Sequence, residues 1–152
     1  MSPFPATLKL LNINFENIRG SFKEFHLRVL LVDDNENFLE TLVRYVATFP
    51  NVKIAGKSAS GEEAVKLCDK LKPDLVLMDV KMPGLNGFEA ARIMKSLDYP
   101  PRILLLSFND HPEYRLEALS AGADGYMSKT EISSGLLRQI SSIFSISSGA
   151  AS

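Results

Sequence analysis

Side chains that could do chemistry stand at the ends of short apolar runs in this chain of 152 residues. They are Asp33, Asp34, Asp79, Ser107 and Lys129. Carboxylate oxygens bind hard divalent cations, and a cation beside a lysine and a hydroxyl can stabilise the charge of a phosphoryl group in transfer. A carboxylate can also be the nucleophile, which gives an aspartyl phosphate. The sequence therefore predicts phosphoryl chemistry, provided that the fold brings these side chains together.

The apolar runs themselves have the pattern of strands in a parallel sheet. They span residues 29–32, 52–55, 75–78, 103–106 and 125–127. Three of them are continuously apolar, as strands buried on both faces are, and the stretches between the runs have helical periodicity. Five strands that alternate with five helices predict an α/β fold with a doubly wound parallel sheet and right-handed crossovers.

Capping residues predict where several of the helices begin and end. The N-terminal signals are the capping box of Ser60 and Glu63, the pair Asn86 and Glu89, and Asp110 followed by Pro112 and Glu113. Pro73 and Gly122 mark helix C-termini. The last helix is predicted from about Glu131, with apolar residues Leu136, Ile140 and Phe144 on one face.

The predicted sheet brings the five polar residues to one edge, because each stands at the carboxyl end of a parallel strand. Ligands of such sheets bind beyond these ends. Taken singly, each residue has an ordinary structural interpretation, such as a helix cap for Asp33 and Asp34 or a turn start for Asp79. Together, three crowded carboxylates raise one another's pKa unless cations neutralise them. Lys129 and one divalent cation balance the charge, so we predict a Mg²⁺ site.

Composition excludes several other classes of protein. The 17 Lys and Arg against 18 Asp and Glu give a net charge of −1, which argues against direct contact with a nucleic-acid backbone. A single cysteine, Cys68, rules out an intramolecular disulfide, and His26 and His111 lack metal-ligand spacing. With no apolar run near the ~20 residues of a membrane helix and no signal-peptide pattern, we expect a cytoplasmic protein without membrane contact.

With these motifs the sequence resembles the receiver domains of two-component response regulators, over residues 28–146. The resemblance rests on the segments Val32-Asp33-Asp34, Met78-Asp79-Val80-Lys81-Met82-Pro83-Gly84, Leu106-Ser107 and Gly122-Ala123-Asp124-Gly125-Tyr126-Met127-Ser128-Lys129. Within the family the sequence is most similar to receivers that are followed by a LuxR-type helix-turn-helix domain. The resemblance implies a flavodoxin-like fold with strand order 2-1-3-4-5.

The resemblance also implies a role for each residue of the acidic set. Asp79 matches the position that accepts a phosphoryl group from a phosphohistidine of a sensor histidine kinase or phosphotransfer protein. Asp33 and Asp34 match the pair that holds Mg²⁺, together with Asp79 and the backbone carbonyl of Lys81. Lys129 matches the lysine that pairs with a phosphoryl oxygen. Such a domain catalyses only its own phosphorylation and dephosphorylation, so we do not expect an enzyme in the ordinary sense.

Two further positions match the switch of the family. Ser107 corresponds to the hydroxyl that moves toward the phosphoryl group, and Tyr126 to the aromatic residue that follows it inward, with the fourth helix, fifth strand and fifth helix as the readout face. Two residues depart from the family pattern. Thr130 replaces a common proline, so we expect no cis bond there and Thr130 as the cap of the fifth helix. Phe108 replaces a small residue and places a bulky ring beside the site.

The chain is predicted to have three parts: an N-terminal extension, 1–27, that is either disordered or docked; the receiver, 28–146; and a flexible tail, 147–152. We expect a phosphorylation-activated switch with an unidentified output partner, either alone or as a fragment of a DNA-binding regulator. The alternative is an interaction module of receiver fold that works without phosphorylation. An aspartyl-phosphate enzyme ranks last, because Lys81 stands where its second carboxylate belongs. The apolar faces of the first and last helices are candidates for a homodimer contact.

Overall fold

The computed structural model describes residues 26–145. The predicted tail at 147–152 and nearly all of the predicted extension at 1–27 lie outside the described residues. Within the described part, no helix is long and apolar enough to cross a membrane.

Five parallel strands form the single described sheet. They are β1 (Leu27–Val32), β2 (Val52–Ser58), β3 (Leu75–Asp79), β4 (Arg102–Ser107) and β5 (Gly125–Ser128). The spatial order is β2-β1-β3-β4-β5, with parallel pairing throughout. The predicted fold class and strand order are therefore confirmed.

Five α-helices alternate with these strands. They are α1 (Glu36–Val46), α2 (Gly61–Leu71), α3 (Gly87–Lys95), α4 (Pro112–Ser120) and α5 (Ile132–Phe144). A short 3-10 helix, Lys129–Glu131, connects β5 to α5. The described helices thus match the predicted number.

Helices cover both faces of the sheet, and alternate residues of each central strand point to opposite faces. Along β1, Leu27, Val29 and Leu31 pack with α1 and α5, whereas Leu30 and Val32 pack with α2, α3 and α4. All of these side chains are fully buried. Burial on both faces explains why the central strands are continuous apolar runs in the sequence.

The edge strand β2 is longer than its apolar run. The prediction ended at residue 55, but pairing with β1 continues to Ser58. Lys53 and Lys57 are exposed on this strand, since one side of an edge strand faces water. The register shifts between Val29 and Leu30, whose partners are Ile54 and Gly56, so Ala55 is the extra residue of a bulge in β2.

One of the two predicted capping boxes is complete. At α3, the Asn86 side chain accepts from the Glu89 amide and the Glu89 carboxylate accepts from the Asn86 amide, both at 2.9 Å. At α2, Ser60 accepts from the Glu63 amide at 3.1 Å, but the Glu63 carboxylate accepts from the Ser58 hydroxyl instead. The full box predicted at Ser60 was therefore wrong, because a nearby hydroxyl competes for the carboxylate.

The start of α4 also differs from the prediction. The N-cap is His111, whose Nδ1 accepts from the Glu113 amide at 3.3 Å. Asp110, predicted to open the helix, pairs with Arg115 at 2.6 Å. His111 is extended, as the residue before a proline prefers, so the cap falls one position later than expected. Gly122, with φ +86°, follows the end of this helix as predicted.

The segment after β5 begins without the predicted threonine cap. The Ser128 hydroxyl accepts from the Thr130 amide at 3.2 Å and caps the 3-10 helix, after which α5 starts at Ile132 without a side-chain cap. Thr130 as the cap of α5 was therefore wrong, because the intervening 3-10 turn moves the start of the α-helix. No cis peptide bond occurs in residues 26–145, in agreement with the expectation drawn from Thr130.

Candidate functional site

A pocket of about 640 Å³ opens at the carboxyl ends of β1, β3, β4 and β5. Every predicted site residue except Tyr126 lines it. The lining residues are Asp33, Asp34, Asn35, Asp79, Lys81, Ser107, Phe108, Asn109, Asp110 and Lys129. The parallel strands bring these residues together, because their carboxyl ends share one edge of the sheet.

The acidic pair after β1 has one buried and one exposed member. Asp33 is 1% exposed, and its two carboxylate oxygens accept from the Asn35 amide at 2.8 Å and from Lys129 Nζ at 2.6 Å. Asp34 is exposed at the mouth of the pocket. The contact with Asn35 turns the chain directly after the strand, where the Asn35 side chain caps α1 through the Phe38 amide.

Asp79 is the last residue of β3 and is 6% exposed. Its Oδ1 lies 3.1 Å from Lys129 Nζ. The backbone beyond it is fixed, since Val80 donates to the Leu106 carbonyl and accepts from the Gly87 amide. A Cβ at Gly87 would collide with the Asp79 carbonyl oxygen, so only glycine lets α3 start this close to β3.

Lys129 is buried among groups of two kinds. Its ammonium bridges the carboxylates of Asp33 and Asp79, with the lysine side chain 5% exposed. The same ammonium lies over the rings of Phe38, 4.3 Å from the centroid, and Phe108, 5.2 Å from the centroid. Lys129 is therefore held by charge and by aromatic faces together.

The electrostatics of the pocket follow from the pairing of one lysine with two buried carboxylates. Burial, followed by the charge of Asp33, raises the pKa of Asp79 from 3.8 to about 6, although Lys129 acts in the opposite direction. Asp34 raises it further. The pocket therefore has an unbalanced negative charge at neutral pH, which favours binding of a cation.

The donor atoms suit a hard divalent cation. One carboxylate oxygen from each of Asp33, Asp34 and Asp79 lies within 4.8 Å of the others. Oxygen-only ligation with few protein carboxylates, in a pocket wide enough for water and phosphate oxygens, is typical of Mg²⁺ sites. Lys81, predicted to add its carbonyl, lines the same pocket. The residues present therefore fit a Mg²⁺ ion.

The two predicted switch residues meet on the loop between β4 and α4. Ser107 is 5% exposed, and its hydroxyl accepts from the Asn109 amide at 2.9 Å. Tyr126 is 7% exposed and donates its hydroxyl to the Asn109 carbonyl. Burial raises the pKa of Tyr126 above its ordinary value of 10.0. Arg115 of α4 lies over the Tyr126 ring at 5.1 Å.

The loop between β3 and α3 is clamped from α2. Glu62 accepts from the Leu85 amide at 2.8 Å, beside Gly84, whose φ is +74°. This hydrogen bond lowers the pKa of Glu62 from its usual value. The clamp therefore holds the loop that carries Lys81, which lines the pocket.

Sequence reasoning missed several residues of the site. Phe38 reaches Lys129 from α1, and Asn109 contacts both Ser107 and Tyr126 through its backbone. Phe38 occupies an apolar position of an amphipathic helix, which gives no signal beyond core packing. The Asn109 contacts use backbone atoms, so residue type could not reveal them.

Residues 29–141 match the family model of the response regulator receiver domain. The chain belongs to this family. The receiver domain is 34% identical over 101 residues to the nitrate/nitrite response regulator protein NarL of Escherichia coli K12. This alignment covers 66% of the chain and 47% of NarL. It is 38% identical over 103 residues to the response regulator GacA of Pseudomonas syringae pv. syringae, which covers 68% of the chain and 48% of GacA.

Solved structures agree with the match. The signal receiver domain of NarL from Mycobacterium tuberculosis is 33% identical, with a TM-score of 0.70, and the alignment covers 76% of this chain and 97% of that one. A LuxR-family response regulator from Aurantimonas is 32% identical, with a TM-score of 0.74, over 78% and 85% of the two chains. The predicted receiver family and its LuxR-type relatives are confirmed. The chain spans about half the length of the curated relatives that it matches.

Proposed function

We propose that this receiver domain is a switch that accepts a phosphoryl group on Asp79 from a histidine kinase or phosphotransfer protein, in a Mg²⁺-dependent reaction. The observation that carries the proposal is the buried arrangement of Asp79, Lys129 and Asp33. A nearly buried carboxylate at the end of a central strand, 3.1 Å from an ammonium and within 4.8 Å of two further carboxylates, is suited to phosphoryl transfer.

Five residues of the pocket have a defined part in this reaction. A carboxylate oxygen of Asp79 forms the new O–P bond while the P–N bond of the donor's phosphohistidine breaks, and the electron pair stays on the histidine nitrogen. Lys129, whose ammonium is also paired with Asp33, neutralises a phosphoryl oxygen. Asp33, Asp34, Asp79 and the Lys81 carbonyl would hold Mg²⁺, which would supply positive charge to stabilise the transferring phosphoryl group. Loss of the group by hydrolysis returns Asp79 to its starting state, so the domain modifies only itself.

The switch step starts from the contacts on the loop after β4. The Ser107 hydroxyl accepts from the Asn109 amide, and a phosphoryl oxygen on Asp79 would give the proton of the same hydroxyl a charged acceptor. Reorientation of Ser107 shifts the loop that Tyr126 holds through the Asn109 carbonyl. The movement therefore changes the face formed by α4, β5 and α5, which we propose as the surface read by the output partner.

The boundaries of the domain and its wider setting are part of the same proposal. We place the receiver at residues 28–146, between an extension and a short tail. The relatives are named as regulators and extend well beyond the receiver, so a DNA-binding regulator is one context for this domain. The other context is a receiver that acts alone on a protein partner.

The proposal is tested by intact-mass measurement after incubation with acetyl phosphate and Mg²⁺. We expect a single added phosphoryl group in the wild type, none in Asp79→Asn, and none when EDTA removes Mg²⁺. Asp124→Asn is the matched control, because Asp124 lies at the opposite edge of the sheet beside Lys95 and Arg102, and should accept the group normally.

Amide spectra of the same samples report the switch. Phosphorylation should shift resonances at Ser107, Asn109 and Tyr126, and Asp79→Asn should show no such shifts. Phosphorylation of Asp79→Asn at another residue would contradict the assignment of Asp79. Failure to bind Mg²⁺ or to accept a phosphoryl group from any kinase would favour the interaction module that works without phosphorylation.

A further inference from the structure

Two phenylalanines from different elements lie together beside the pocket. Phe108 follows Ser107 directly and is 67% exposed, whereas Phe38 projects from α1 and is only partly buried. Their rings form an edge-to-face pair with centroids 6.2 Å apart and an interplanar angle of 70°. At this exposure Phe108 gains little from burial, but its ring also has a contact with a charged group.

That contact is the Lys129 ammonium. It lies over both rings, nearer to Phe38 than to Phe108, while its two carboxylate partners approach from the pocket. A cation over an aromatic face is attracted by the ring quadrupole, and the attraction is strongest where water is excluded. Since the lysine side chain is only 5% exposed, the rings occupy space around the ammonium that water would otherwise fill.

The two rings come from different parts of the fold. Phe38 belongs to a helix that packs firmly on the sheet. Phe108 belongs to the loop between β4, which ends at Ser107, and α4; Asn109 is part of the same loop. Lys129 therefore lies between a fixed ring and a ring on the proposed switch loop. The position of the ammonium depends on both.

We propose that Phe38 and Phe108 are positioning residues for Lys129, holding its ammonium at the point where it meets a phosphoryl oxygen on Asp79. This inference rests on the proposed function for its consequence in catalysis, but the contact itself exists before any phosphorylation. The pair raises the rate of phosphoryl transfer because it keeps the ammonium in place without using its hydrogen-bond donors.

The first test uses the unphosphorylated protein, labelled with ¹³C-lysine and observed by NMR. Protons that lie over aromatic faces move upfield through ring currents, so the Lys129 Hε signal should stand apart from those of other lysines. Lys129→Arg assigns the signal by its loss. Phe38→Leu and Phe108→Leu should each return the signal part of the way to the usual position, with Phe38→Leu giving the larger change because its ring is nearer.

The control for this measurement is Phe49→Leu. Phe49 also forms an edge-to-face aromatic pair, with Tyr45, but it lies in the core behind α1. Its substitution should leave the Lys129 signal unchanged. An Hε signal of Lys129 at the ordinary lysine position in the wild type would overturn the proposal.

The second test measures the rate of phosphorylation by acetyl phosphate as the donor concentration is varied. Phe38→Leu and Phe108→Leu keep apolar bulk but lack a π-face, and we expect a maximal rate lower by about fivefold, with little change in the half-saturating donor concentration. Phe108→Tyr keeps the aromatic face and should restore the rate. Phe49→Leu should behave as the wild type.

The outcomes separate the inference from the proposed function. Absence of phosphorylation in the wild type would refute the proposed function, while the NMR result would still decide the contact. Equal slowing by Phe108→Leu and Phe108→Tyr, or unchanged rates in both leucine variants, would overturn the positioning role. A change only in the half-saturating concentration would do the same, since it would assign the rings to donor binding.

Discussion

Two groups of charged side chains lie at opposite edges of the sheet and are built differently. At the amino-terminal edge of β4 and β5, Asp124 accepts from Lys95 Nζ and from the Ile103 amide, both at 2.8 Å, with Arg102 at 3.6 Å. At the carboxyl edge, three aspartates share Lys129 alone among the described cations, which touches two of them. The first group has two cations for one carboxylate, and the second has one cation for three.

The difference in balance separates a structural group from a functional one. Asp124 has its charge and its hydrogen bonds satisfied within the chain, so it fixes α3, β4 and β5 and has no capacity for a ligand. The pocket around Asp79 has unmet negative charge, and the raised pKa of Asp79 reflects it. A cluster that its own chain leaves with excess negative charge suits an external cation, and under the proposed function that cation would in turn neutralise a phosphoryl group.

Removal of Lys129 should give the largest loss of stability. In Lys129→Ala, Asp33 and Asp79 remain buried beside each other without their cation, and breaking such a pair costs about 3–5 kcal/mol. Urea unfolding at pH 8 in EDTA measures this loss. Added Mg²⁺ should recover part of it, because the ion replaces positive charge among the carboxylates.

Lys95→Ala provides the comparison at the other edge. Arg102 and the Ile103 amide remain near Asp124, and Lys95 is 25% exposed, so we expect a loss of only about 1 kcal/mol without any response to Mg²⁺. Equal losses in the two lysine variants would show that the carboxyl edge is no less balanced than the amino edge.

Much of the site could be predicted from the sequence because it depends on topology. A run of buried apolar residues reveals a central strand, and in a parallel sheet the residue after each strand must lie at the common edge. Asp33, Asp79 and Lys129 follow from that rule and lie in one pocket as predicted. The same rule misplaces the end of β2, because its apolar run stops at Ala55 while its pairing with β1 continues to Ser58.

Other features could not be predicted because they depend on side-chain direction or on competition between partners. Phe38 has the periodicity of a core residue, and only the packed structure shows its ring against Lys129. The Glu63 carboxylate could accept from the Ser60 amide or from the Ser58 hydroxyl, and sequence alone does not decide that it accepts from Ser58. Spacing defines which residues share a face, not which contact prevails.

The pH dependence of stability should give the second-largest difference between the two edges of the sheet. The pKa of Asp79 is about 6 in the folded state against 3.8 as its ordinary value. The folded state therefore binds this proton more tightly than the unfolded state, so stability falls as pH rises from about 4 to about 6 and then levels. The loss due to Asp79 is about 2–3 kcal/mol.

Urea unfolding between pH 4 and pH 8 in EDTA measures this dependence. Asp79→Asn lacks the titrating group, so its stability relative to the wild type should increase with pH. Saturating Mg²⁺ should reduce the fall in wild-type stability between pH 4 and pH 6, because the ion binds the ionised carboxylate. Parallel pH curves for Asp79→Asn and the wild type would contradict the unbalanced charge that we assign to this edge.

A smaller effect is expected from Asp124→Asn. The amide oxygen can still accept from the Ile103 amide, but the charge that pairs with Lys95 is lost, at a cost of about 1–2 kcal/mol. Thermal or urea unfolding at pH 7 measures it. Asp98→Asn, an exposed aspartate after α3, is the control and should change stability by less than about 0.5 kcal/mol. A lower phosphorylation rate in Asp124→Asn would show that the two edges are coupled.

The smallest predicted effect comes from a carboxylate that lies near the pocket but resembles Asp124 in its contacts. Glu62 is satisfied by the Leu85 amide, which also lowers its pKa, and it holds the loop that presents Lys81. Glu62→Gln keeps an acceptor but loses its charge, so calorimetric titration should give a Mg²⁺ dissociation constant raised by about threefold. Glu63→Gln is the matched control, because Glu63 pairs with the Ser58 hydroxyl and does not hold that loop. An equal change in both variants would show that charge near the pocket matters, rather than the clamp on the loop.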